Sequence, residues 1–266
     1  MKLGMEIQAA LPQICRAGFL ALTASVWLWR SIAPTLADGL TEAKSAYEHG
    51  NYETAFGVLT PMADSGVPEA QYYLGLLYRE GRGTPQDFQR AVELFQRASD
   101  QNAANATTAL GIMYEVGSGV AKDLSAAAQL FKKAADQDFG PAQAFLGAMA
   151  ATGEGIPRDV NQAVILFRRA ADNGVPMAQY ILGRYYERGF GVADDKAAAL
   201  QWFEICSQHA DDKEPSFDGF DKQDDLFRDL ARRDSLVLSQ LLPRDQVSSA
   251  KNRAAIWKAN RRINQQ

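Results

Sequence analysis

The chain has 266 residues, 47% of them hydrophobic and 23% charged, the balance of a folded protein with a sizeable core, which excludes a disordered tail. Its formal net charge of −4 excludes the uniform cationic field that draws proteins to nucleic acid or to anionic membranes. Two histidines and two cysteines, none clustered, lack the parts for a zinc site or an imidazole-based triad.

In chain order, the first element is Lys2 ahead of the apolar run Ala17 to Trp29, followed by Pro34, Thr35 and Ala37. The run is too short to span a bilayer and suits the core of a secretory signal, with small residues at the two positions a signal peptidase reads. Residues 1–37 are therefore expected to leave as a signal peptide, placing the mature chain in the periplasm or outside the cell. Cleavage would remove three cations (Lys2, Arg16, Arg30) against one anion (Glu6), making the mature chain more acidic. It would also remove Cys15, leaving Cys206 with no partner for an internal disulfide. No membrane-integral segment is expected after cleavage.

From residue 73 onward the sequence repeats. "LGLLYREGRGTPQD", "LGIMYEVGSGVAKD", "LGAMAATGEGIPRD" and "LGRYYERGFGVADD" begin at Leu74, Leu110, Leu146 and Leu182, a step of about 36 residues and the mark of a repeat array. Each glycine pair follows a helical pattern and lacks the preceding strand and the third glycine of a dinucleotide loop, so it reads as helix-ending punctuation. Before it, alanine, Leu-Gly and an aromatic recur at helical spacing, as in Ala70, Leu74, Gly75 and Tyr78. A glycine inside a helix is unfavourable by up to about 1 kcal/mol against alanine, so its recurrence implies a neighbour too close for a Cβ. The third unit has Ala150 where its siblings have tyrosine, and looser packing is expected there. After each pair stands an aspartate, Asp87, Asp123, Asp159 or Asp195, expected to cap the second helix of its unit. A whole-repeat spacing keeps these carboxylates too far apart to share one ion. Second helices then carry small residues about Phe95, Phe131, Phe167 and Phe203, a plug between sockets that lets antiparallel helices interlock.

The combined pattern A-x-x-x-L-G-x-x-Y-x-x-G-x-G-x-x-x-D-x-x-x-A-x-x-x-F-x-x-A resembles the Sel-one-like repeat, a relative of the tetratricopeptide repeat. The resemblance implies an all-α, right-handed α-solenoid of helix-turn-helix repeats. Four full copies are placed at 69–210, after a shorter tetratricopeptide-like unit at 38–68 in which Gly50 nearly abuts Tyr52 and Ala55. An acidic linker follows at 211–225, then C-terminal capping helices at 226–266, in which Val247, Ala250, Ala254 and Trp257 share one face among basic residues. Those cations leave open a second role for the last helix, docking on a partner or a membrane surface.

No catalytic constellation, cofactor motif or metal site is legible, and the chain is expected not to be an enzyme. Aligned on Leu-Gly, the groove positions of the tetratricopeptide fold fall on Tyr72, Leu76 and Arg79; Thr108, Ile112 and Glu115; Ala144 and Ala148; Tyr180, Arg184 and Glu187. The resemblance thus implies a periplasmic adaptor or regulator that holds a protein or peptide partner in a concave groove, in envelope signalling or exopolysaccharide regulation. The alternatives are a glycan- or peptidoglycan-binding scaffold, with Tyr72 and Tyr180 stacking on sugars, and a secreted effector that meets host proteins.

Overall fold

A computed structural model of the protein describes residues 38–208 and 221–264, which form twelve helices and no strand. The expected signal peptide and most of the acidic linker lie outside the described residues. The helices are α1 (38–48), α2 (Tyr52–Asp64), α3 (Pro68–Glu80), α4 (Phe88–Asp100), α5 (Ala104–Val116) and α6 (Leu124–Ala135). They continue with α7 (Gly140–Thr152), α8 (Val160–Asp172), α9 (Pro176–Arg188), α10 (Lys196–Ser207), α11 (Asp221–Leu241) and α12 (Arg244–Asn264). From α1 to α10 they alternate as first (A) and second (B) helices of successive pairs, each packed on its partner and on the pair before it. The fold is an all-α solenoid.

The A–B contact is a ring in a glycine socket. A Cβ built on Gly75 would lie 2.6 Å from Phe95; on Gly111, 2.7 Å from Phe131; on Gly183, 2.5 Å from Phe203. The third pair is looser, with 3.2 Å between Gly147 and Phe167. All four rings are buried in alanine-rich surroundings, as the plug-and-socket pattern requires.

The two glycines of each loop have different tasks. The first ends the A helix in the left-handed conformation, as Gly117 does at φ 83°. The second lays the loop on the B helix of the preceding pair: a Cβ on Gly119 would be 2.4 Å from the Phe88 carbonyl oxygen. The loop then closes on the capping aspartate, whose carboxylate accepts from the amide three residues on, at 2.9 Å for Asp87, Asp123 and Asp195 and 3.0 Å for Asp159.

Between pairs, polar groups add a second bond to carbonyls at B-helix C-termini that also accept from a turn amide. Gln71, Gln143 and Gln179, all buried, donate to the carbonyls of Ala63, Ala135 and Ala171. Thr107 takes that place in the second unit, bonding Ala103 and Ser99. Lys133 adds a bond of 2.6 Å to the Ser99 carbonyl.

The array ends in two helices that straddle α10. α11 is described from Asp221, inside the stretch read as linker; Asp224 and Asp225 in its first turns suit the positive N-terminal end of a helix dipole. It packs on α9 and α10, and α12 packs on α10 from another side. Glu204 of α10 joins them: its buried carboxylate accepts from Ser235 of α11 at 2.6 Å and pairs with Lys251 of α12 at 3.6 Å. The repeats before it carry exposed Gln96, Lys132 and Arg168 at this place, so the buried acid marks the last pair. Three of the cations of α12 reach back to the array. Arg253 meets Gln201, Lys258 donates to the Gln208 carbonyl at the end of α10, and Arg261 donates to the Asn173 carbonyl after α8. Cations at helix C-termini complement the dipole there, so these charges fasten the cap.

Candidate functional site

The positions taken from the tetratricopeptide groove fall largely on the seam between consecutive A helices. Tyr72 is 2% exposed and Leu76 fully buried, packed with Ala106, Ala109, Leu110 and Met113. Thr108 is buried and bonds the Ala104 carbonyl; Ala144 is buried as well. These residues are interior, a correction with a physical cause: alanines on neighbouring A helices let the helices close together over side chains that would otherwise floor a groove.

At the C-terminal end the seam is filled by the chain's own cap. The Tyr180 hydroxyl donates to Asp234 at 3.1 Å and Arg184 donates to the same carboxylate oxygen at 3.0 Å, while Phe227 packs on the Tyr180 ring. Arg184 also pairs with Glu187 at 3.3 Å. Burial alone would raise the Asp234 carboxyl, but hydrogen bonds from Arg233, Arg184 and Tyr180 outweigh it and hold it below the usual aspartate range. Neither Tyr72 nor Tyr180 offers an open ring face to a sugar. Arg79 is bonded to Glu80 at 2.7 Å. Glu115 is half-buried, and burial, then the neighbouring Glu154, push its carboxyl up.

The face that is open lies opposite the repeat glycine. At about 100° per residue, side chains two before and five after that glycine point some 140–160° away from the B helix. Those positions are Tyr73, Ala109, Phe145 and Ile181, and then Glu80, Val116, Thr152 and Arg188. Val116 is 65% exposed, Thr152 and Arg188 are exposed, and Tyr73, Glu80, Phe145 and Ile181 are half-buried, while Ala109 is closed over in the seam. Half-buried Ile112 and Ala148 adjoin them. The middle of this inner face is therefore apolar. At its N-terminal end Tyr73 meets Tyr47 edge-on and Lys44 bonds Glu69 at 2.7 Å; at its C-terminal end stand Arg184, Glu187 and Arg188. Of the groove residues expected from sequence, Ile112, Glu115, Arg184 and Glu187 border this strip. Phe145, Ile181 and Val116 were missed, although the rule that finds them, the helix face opposite the glycine, needs only the sequence.

Among the described residues no group of three His, Cys, Asp or Glu side chains could hold a metal ion, and no helix is long and apolar enough to cross a membrane. Cys206 is buried against the Pro176 carbonyl, and burial pushes its thiol up to about 12, far from a poised nucleophile.

The family model of the Sel1 repeat matches residues 68–102, 104–139, 140–175 and 176–205. A Sel1 repeat protein from Oxalobacter formigenes is similar in structure, with 25% identity and a TM-score of 0.57 over 81% of this chain and 84% of that one. The antigen c5321 of uropathogenic Escherichia coli, described as a protective antigen displaying an SLR fold, shares 24% identity with a TM-score of 0.59. That alignment covers 86% of this chain and 54% of the antigen, so the chain spans about half its length. A 43-residue stretch is 46% identical to DAP3-binding cell death enhancer 1 of Rattus norvegicus, covering 16% of this chain and 8% of that protein.

Proposed function

The chain belongs to the Sel1 repeat family, whose members are in general protein-interaction scaffolds, and from that premise we propose that it holds a protein or peptide partner on the inner face of its middle repeats. One observation carries the reading: Val116 is 65% exposed and Ile112, Phe145, Ala148 and Ile181 are only half-buried, so the middle A helices leave apolar surface open even where Phe145 stacks on Phe131 of α6. Apolar side chains left open between charged ends are how a binding face differs from a solvated one. The proposed role is that of a non-enzymatic adaptor or regulator. Its proposed place is the periplasm, on the strength of the signal-like segment before Asp38.

Photo-crosslinking tests this directly. A benzophenone side chain placed at Phe145 should capture a discrete protein in cells, and one placed at exposed Gln162 on α8 should not. Phe145→Glu should abolish capture from a second crosslinker at Val116. Equal capture at Gln162, or none at Phe145, overturns the reading. The location is checked by fractionation and by the N-terminal sequence of the exported chain, expected to start near Asp38.

A further inference from the structure

One charged side chain stands in the middle of the apolar face. α5 and α7, the two A helices that carry Ile112, Val116, Phe145 and Ala148, hold a single charged residue between them, Glu115. Among the described residues its carboxylate makes no hydrogen bond and no ion pair. The charges that bear on it are Glu154, which repels it, and Lys122, which attracts it from beyond ion-pair range; both lie exposed, on the loops after α7 and α5. In the first and fourth units the charge at this helix position is answered within the chain. Arg79 pairs with Glu80, and Glu187 pairs with Arg184, which also holds Asp234. In the second unit the two answering positions are taken by Val116 and Ile112.

An uncompensated carboxylate in half-buried surroundings is unfavourable in the free chain, because burial and the Glu154 charge both oppose its ionisation. A cation brought from outside removes that penalty. Lysine and arginine have the shape for it, since their stems are aliphatic and only their heads are charged. Ile112 precedes Glu115 by one helical turn and Val116 is its neighbour in sequence, so one long side chain can touch all three. Val116 is 65% exposed, which leaves that approach open. Resting on the reading that the inner face binds a partner, we infer that Glu115 selects the occupant: an apolar peptide segment with one basic side chain, its stem along Ile112 and Val116 and its charge on the Glu115 carboxylate. Phe145, Ala148 and Ile181 take the apolar side chains of the segment, and the ion pair fixes its register.

Fluorescence anisotropy on the full chain reads this with short labelled peptides of leucine, phenylalanine and serine that differ only in one central guest residue: arginine, glutamine or glutamate. The arginine peptide should bind at least about tenfold more tightly than the glutamine peptide, with glutamate weakest, and added salt should narrow the gap. Glu115→Gln should remove the gap, and Glu115→Arg should reverse it in favour of glutamate. Glu53→Gln, which removes an exposed anion of α2, should leave the gap unchanged and so separates a local contact from net charge. Circular dichroism of the three variants should match that of the parent. A gap that persists in Glu115→Gln overturns the inference, as does a guest charge without effect on the unmodified chain. Sedimentation showing a dimer of the unmodified chain that Glu115→Arg dissolves would make a second copy the occupant and overturn it too. Failure here is separable from failure of the proposed function: if no peptide binds while crosslinking at Phe145 persists, the basic-peptide inference falls and the partner-binding face stands.

Discussion

Alanine at the four A-helix glycines should have unequal effects, although the four motifs read alike. At Gly183 the new Cβ would sit 2.5 Å from Phe203, about an ångström inside ordinary carbon contact. The ring cannot retreat, because Ala199, Leu200 and Cys206 around it are fully buried. Overpacking of this kind costs about 1–3 kcal/mol, and alanine returns about 0.8–1.0 kcal/mol of helix propensity. A net loss of about 1–2 kcal/mol is expected for Gly183→Ala, and similarly for Gly75→Ala and Gly111→Ala, whose gaps are 2.6 and 2.7 Å. Gly147→Ala meets Phe167 at 3.2 Å, a shortfall of a few tenths, so propensity offsets strain and stability should stay within about 0.5 kcal/mol of the parent. Urea unfolding followed by circular dichroism measures the difference, with hydrogen exchange by repeat because nearest-neighbour arrays need not unfold in one step. Equal losses at all four sites, or the largest loss at Gly147, would refute this account of the sockets.

Three further outcomes are expected. In a Cys15→Ser chain at pH 8, Cys206 should stay unmodified by a thiol reagent until urea unfolds the protein, since burial lifts its thiol to about 12; prompt labelling of the folded chain would contradict the packing of α10. Asp234→Asn should destabilise the cap at neutral pH. The aspartate's folded value lies below its unfolded one, so its contribution is present above the unfolded value and lost as pH falls through the folded one; the deficit should shrink below about pH 4, and one that ignores pH would contradict this. Glu115 has the opposite sign: burial and then Glu154 raise its carboxyl, so the parent loses stability as pH rises from the unfolded value through the folded one. Glu115→Gln should therefore be the more stable chain at pH 7 and nearly equal at pH 3, as read by urea midpoints.

Much of the architecture can be read from local rules, because a repeat states each rule four times. Leu-Gly, the glycine pair, the aspartate and the phenylalanine each name a contact within one unit, and each is found where its spacing puts it. Contacts between units are less legible. Gln71, Gln143 and Gln179 look like surface polar residues until the C-terminal carbonyls of the preceding B helix are seen beneath them. The groove residues went astray for a related reason. Positions borrowed from the tetratricopeptide groove become interior where Ala106, Ala109 and Ala144 let neighbouring A helices close. Glu204 could have been suspected, as an acid where the preceding units carry Gln96, Lys132 and Arg168, but its partners Ser235 and Lys251 lie far along the chain.

The crossing of each loop onto the previous B helix bears on how such a chain can change length. Gly83 rests on Tyr52, Gly119 on Phe88 and Gly155 on Leu124, the same 31-residue separation each time. An unequal crossover that duplicates or drops one whole internal unit would bring a loop glycine onto the same backbone position of its new neighbour, and every joint would close as before. The fourth unit is not interchangeable in this way. Glu204 commits it to Ser235 and Lys251, so a copy of it moved inward would bury a carboxylate that keeps only Gln208 of its own unit as a partner. Growth by duplication is thus open in the middle of the array and closed at its C-terminal end, where the two long helices stay with the unit that carries the acid.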